Sequence, residues 1–99
     1  MIKLAVQSTD APQAVEWIRS AIDAKIAQIK HAIVITERRL AEFESKYQAD
    51  SQTFLETMTA EDLEGGDLEY VEWYGECELL KRLQLQLDQL MSIEYEHPC

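Results

Sequence analysis

From Val15 onward the chain returns to the same helical face every seventh residue. Val15, Ile22, Ile29, Thr36 and Phe43 form one row, and Ile26, Ile33, Leu40 and Tyr47 form its companion. No Gly or Pro interrupts the chain between Pro12 and Gly65. This rhythm predicts a helix over 11–47, opened by Asp10 as cap with Pro12 in the first turn, where a missing amide costs nothing. At 1.5 Å per residue such a rod is about 50 Å long, whereas a compact domain of this size is about 26 Å across. The chain is expected to be elongated.

A second seam closes the sequence: Trp73, Leu80 and Leu87 alternate with Cys77, Leu83 and Leu90. It predicts a last helix over 67–95, capped by Asp67 and stopping before Pro98. Between the two seams, 51–64 reads as a connector. Asp50-Ser51 can cap a short helix over Gln52–Met58, Thr59 to Asp62 offers a second cap, and Gly65-Gly66 breaks the chain. At the other end Ile2, Leu4 and Val6 alternate with Lys3, Ala5 and Gln7, the two-residue period of a short strand over 1–8. No other strand is convincing, so this one has to pair with a second copy, with a partner's sheet edge, or with nothing. The fold class is all-α: one domain over 1–99, built as a long antiparallel helical hairpin with short connector helices and that N-terminal strand.

One facing helix cannot cover everything the first rod offers. Ala14, Trp17, Ala21, Ala24, Ala32 and Ile35 widen its apolar face to one side, while Val71, Tyr74 and Leu85 fall away from the Leu seam of the last helix. A homodimer forming a four-helix bundle would cover both. Its core and dimer positions are read as Trp17, Ile22, Ile29, Ile33, Leu40, Trp73, Leu80, Leu83 and Leu87.

Charge changes the picture. Between Tyr47 and Leu80 stand ten carboxylates, Asp50, Glu56, Glu61, Asp62, Glu64, Asp67, Glu69, Glu72, Glu76 and Glu78, with no Lys or Arg. Residues 1–46 are nearly neutral, so most of the formal charge of -10 lies in the second half. Such a block disfavours nucleic acid and anionic membrane surfaces and attracts a basic partner. The longest purely apolar run, Ala32 to Ile35, cannot span a bilayer, and the first residues are too short and polar for a signal peptide. Cys77 and Cys99 make neither a disulfide framework nor a zinc set, which points to a reducing cytoplasm.

Catalytic chemistry finds no foothold. His31 and His97 have no companion nucleophile, Cys77 reads as a small buried hydrophobe, and no phosphate loop occurs. Glu69, Glu72 and Glu76 share a helical face, as carboxylate-metal bundles require, but Glu94 to His97 is the only Glu-x-x-His spacing and it stands beside Pro98. The expectation is a non-enzymatic chain with no cofactor and no metal; an exposed acidic face is the simpler reading of that row.

Within Glu72-Trp73-Tyr74-Gly75-Glu76, Trp73 reads as core and Tyr74, beside Val71, as an outward anchor ringed by acids. Gly75 costs a helix interior about 1 kcal/mol relative to Ala, which calls for another backbone passing close by, within the hairpin or across an interface. The candidate partner-binding set is therefore Glu69, Val71, Glu72, Tyr74, Glu76 and Glu78.

Lys46-Tyr47, then Phe54-Leu55, then an acidic stretch leading to Glu72-Trp73 and a Leu-rich close resemble a group of short, acidic, helical proteins of cyanobacteria and archaea. These are often found beside small toxin genes and are regarded as antitoxin-like. The similarity spans about Phe43 to Leu90. It departs where Gln48-Ala49-Asp50 replaces a commonly Gly-containing turn, and in having Gly75 within the last helix. The resemblance implies a protein that binds and neutralises a basic, ribonuclease-type toxin. The alternatives are a self-assembling helical scaffold and a small carboxylate-metal bundle.

Overall fold

A computed structural model describes residues 2–4 and 11–95 of the chain. In order come β1 (Ile2–Leu4), α1 (Ala11–Tyr47), α2 (Ser51–Thr57), a 3-10 turn (Ala60–Asp62), α3 (Gly66–Met91) and β2 (Ile93–Tyr95). The all-α class holds, with α1 packed along α3. The expected cap at Asp10, the Ala5 to Gln7 part of the strand, and His97, Pro98 and Cys99 lie outside the described residues.

Two ion pairs fix the register of the long helices. Lys46 of α1 meets Glu69 of α3, and Arg39 meets Glu76. Seven residues back along α1 correspond to seven forward along α3, so the two run in opposite directions. The molecule measures 62 × 20 × 19 Å with a radius of gyration of 19.5 Å, against about 13 Å for a compact chain of this length.

The α1 seam faces α3 as its spacing requires: Ile29, Thr36 and Leu40 are buried, and Ile22, Ile33 and Phe43 half-buried. Across from them Trp73, Cys77 and Leu83 are buried, with Leu80 and Leu87 half-buried. Burial pushes the Cys77 thiol up from its ordinary pKa, as suits a packing residue rather than a nucleophile. Trp17 lies on the part of the α1 face that α3 leaves uncovered. It is 66% exposed and takes no part in the chain's own core.

The core gathers at the connector end. Trp73, 0% exposed, lies between the rings of Phe54 (centroids 4.0 Å apart) and Phe43 (5.4 Å), both nearly parallel to it, and its Nε1 donates to Ser51 Oγ at 2.9 Å. Leu40, Leu63 and Cys77 complete the cluster. At the opposite end the packing opens into a hollow of about 460 Å³ lined by Lys25 and Ile29 of α1, Gln86, Gln89 and Leu90 of α3, and Ile93.

Three boundaries correct the sequence reading. α3 begins at Gly66 with Gly65 as its cap, so Asp67 lies in the first turn and is not the cap. It ends at Met91, four residues short of Tyr95. The residues beyond it form β2, which pairs in parallel with β1 in the register Ile2–Ile93, Lys3–Glu94, Leu4–Tyr95. The N-terminal strand thus finds its partner within the chain, beside Ile93 where α3 ends level with Lys25 and Ile29 of α1.

Candidate protein-binding face

The turn after α1 sets up everything beyond it. Gln48 takes a left-handed backbone, φ 51°, and Ala49 N–H reaches back to Glu44 O at 3.2 Å, which terminates the helix without the usual glycine. Glu44 Oε2 then accepts from Ser51 N–H (2.7 Å), and Asp50 Oδ1 accepts from Thr53 N–H (2.7 Å). That bond to Thr53 holds the Asp50 carboxyl below its ordinary pKa. The caps leave α2 no choice but to point Phe54 at Trp73.

Two of the acids expected on the docking face turn inward instead. Glu69 accepts from Lys46 Nζ at 2.8 and 3.0 Å and from the Tyr47 hydroxyl, and Tyr47 Oη in turn accepts from Glu64 N–H at 2.9 Å. The Lys46 hydrogen bond, then the Tyr47 one, hold the Glu69 carboxyl below its usual range, and the same contact raises Lys46. Glu76 accepts from Arg39 Nη1 at 3.1 Å; its Oε2 is buried and, among the described residues, has no hydrogen-bond partner. Both acids stand seven apart at the edge of the α3 seam, opposite two bases seven apart on α1. They hold the helices in register and are not free to meet a partner.

What remains outward is more apolar than expected. Leu68 (69% exposed), Val71 (65%) and Tyr74 (46%) occupy successive turns of α3. Glu72 and Asp67 are exposed beside them, and Glu78, half-buried, reaches Lys81 Nζ at 3.5 Å. Tyr74 is not a loose ring: it stacks on Tyr70 (6.3 Å, 12°), which meets Phe54 at 5.0 Å, so the exposed aromatic is backed by the core. Gly75 lies on the same strip, four residues after Val71. A Cβ built there meets nothing within 4 Å, so no backbone among the described residues explains the glycine. Of the two reasons the sequence offered, the one within the helix pair is ruled out.

Leu68 was missed by sequence reasoning, although its spacing of three from Val71 carried the signal. The face is thus Leu68, Val71, Tyr74 and Gly75, with Glu72, Glu78 and Asp67 as rim. The exposed acids Glu61, Asp62 and Glu64 stand just before α3 in the connector.

Among the described residues no three His, Cys, Asp or Glu side chains are grouped to hold a metal ion. No helix of the described residues is long and apolar enough to cross a membrane. Comparison with protein-family models, with curated proteins and with solved structures finds no match to this chain.

Proposed function

We propose that this chain is a non-enzymatic protein-binding module of the cytoplasm, antitoxin-like, that docks a basic, ribonuclease-type protein on the outward face of the first turns of α3. The observation that carries the reading is a row of exposed Leu68, Val71 and Tyr74 around Gly75, a glycine that costs the helix stability and touches nothing inside. Apolar anchors with a charged rim are how binding surfaces concentrate affinity, and the connector acids would steer a cationic partner toward them. A toxin that cleaves RNA must present positive charge to phosphates, and an acidic helix complements such a groove.

Gly75→Ala gives the discriminating test. Alanine suits the helix and its Cβ has room, so the variant should unfold at a higher temperature; yet it should bind the partner more weakly, together with Tyr74→Ala. The chain is co-expressed with the product of the neighbouring open reading frame and purified in moderate salt. Recovery of the two proteins separately, or a Gly75→Ala complex as tight as the parent, refutes the proposal.

A second reading, a self-assembling helical scaffold in which the helix pair is a hairpin that joins a second copy as a four-helix bundle, is favoured by one observation: Trp17 lies 66% exposed on α1. Salt separates the readings, because an acid-on-base complex weakens as salt rises while apolar association persists.

A further inference from the structure

α1 carries a second heptad seam on its outer side. Trp17, Ser20, Ala24, Ala27, His31, Val34, Arg38 and Ala41 follow one another at alternating steps of three and four, and every one of them is exposed. Such alternation keeps a row of side chains facing one neighbour along the whole length of a helix. The inner seam already meets α3; among the described residues the outer one stays exposed.

The occupant can be argued from area and from charge. The chain exposes 7134 Å², whereas a compact monomer of 11.4 kDa is expected to expose about 5,800 Å². The excess, about 1,300 Å², exceeds the roughly 800 Å² that each partner of a standard interface contributes. With a net charge of -10, two copies should repel, but no member of the outer seam is acidic, so this is where like chains can meet. The seam is also self-complementary in the antiparallel sense. About a two-fold axis at Ala27, Ser20 of one copy falls opposite Val34 of the other, and Ala24 comes within one residue's rise, about 1.5 Å, of His31. Trp17 likewise comes within one residue's rise of Arg38, a ring near a guanidinium. On the flank, Asp23 comes within one residue's rise of Lys30 of the other copy and Glu16 equally close to Glu37, an attractive and a repulsive pair, each twice by symmetry.

We infer that two copies associate antiparallel through the outer seam of α1, with Ala24 and Ala27 allowing close approach and the two α3 helices at the far edges. This rests on the self-association reading and sharpens it: the four helices form a row rather than a square bundle, and each α3 face stays open to a partner.

Ala27→Cys in a Cys99→Ser background tests the axis. Its two thiols should lie within disulfide reach, a Cα separation of about 4.4–6.8 Å, and link under mild oxidation. Ala41→Cys, about 21 Å from the axis along each helix and so about 42 Å from its mate, should not. Ala27→Glu should weaken the dimer at least tenfold by sedimentation with helicity unchanged, whereas Val71→Glu on α3 should leave it intact. Asp23→Lys should weaken it severalfold and Lys30→Asp in the same chain should restore it. A single 11.4 kDa species at all concentrations overturns both self-association and this arrangement. A dimer indifferent to Ala27→Glu, or one in which Ala41→Cys links to itself, overturns the arrangement alone.

Discussion

Replacing Trp73 tests whether the connector end is the keystone of the fold. The side chain is 0% exposed, lies between Phe54 and Phe43, and donates to Ser51 Oγ at 2.9 Å. Truncation to Ala removes the transfer energy and leaves a cavity, about 3–5 kcal/mol for a buried aromatic, and forfeits ring stacking worth about 0.5–1.5 kcal/mol per pair. That sum matches the lower end of total domain stability, about 5 kcal/mol, so Trp73→Ala should be unfolded at physiological temperature. Trp73→Phe is the informative variant. It keeps a stacked ring, loses the indole N–H and leaves a smaller void, for a cost of about 2 kcal/mol, or a drop in melting temperature of about 8–16 °C. Far-UV circular dichroism during urea and thermal unfolding reads this without relying on the altered tryptophan. A cycle with Ser51→Ala should return a coupling of about 1 kcal/mol for the hydrogen bond. A Trp73→Phe cost below about 0.5 kcal/mol, less than one typical hydrogen bond, together with strict additivity in the cycle, would refute the packing argument.

Glu69 gives the acid limb of stability. Its folded pKa lies below the unfolded one through Lys46 and Tyr47, so its contribution is present above the ordinary carboxylate range and is lost as pH falls through the folded value; Glu69→Gln should flatten that limb, and an unchanged slope in pH-dependent melting would contradict the pairing. Gly65→Ala places a Cβ against Glu69 Cγ, closer than van der Waals contact allows and near the backbone end of that side chain, so it should lower stability by about 1–3 kcal/mol in urea unfolding. Gln48→Gly relieves a left-handed backbone and should raise stability by about 0.5–1 kcal/mol, against the usual penalty of a glycine; a loss would mean that Gln48 Nε2 donating to Ser45 O at 2.8 Å outweighs the strain.

The two seams were legible because burial leaves a period. Ile29, Leu40 and Leu83 are inside for the reason their spacing states, and α1 occupies Ala11–Tyr47 as expected. The direction in which an acid points has no such signature. Glu69 and Glu76 belong to a run without a single base, and their partners Lys46 and Arg39 are supplied from 23 and 37 residues away. Only the helix register brings them together. β2 escaped for want of length: three residues after a helix end cannot be told from one more turn. The Lys-Tyr, Phe and Glu-Trp pattern supports the fold more than the docking face, since Lys46, Tyr47, Phe54 and Trp73 all close the connector end. The outer seam of α1 shares the heptad spacing of the inner one, but a row of Ser, Ala and His carries no apolar signature to set it apart from ordinary surface.

The parallel clasp of β1 and β2 sets a polarity on the whole object. The clasp lies beside the hollow that Ile93 lines with Lys25 and Ile29, at the other end of the helix pair from Leu68 and Tyr74. A label carried on the clasp itself would therefore stand clear of the docking end.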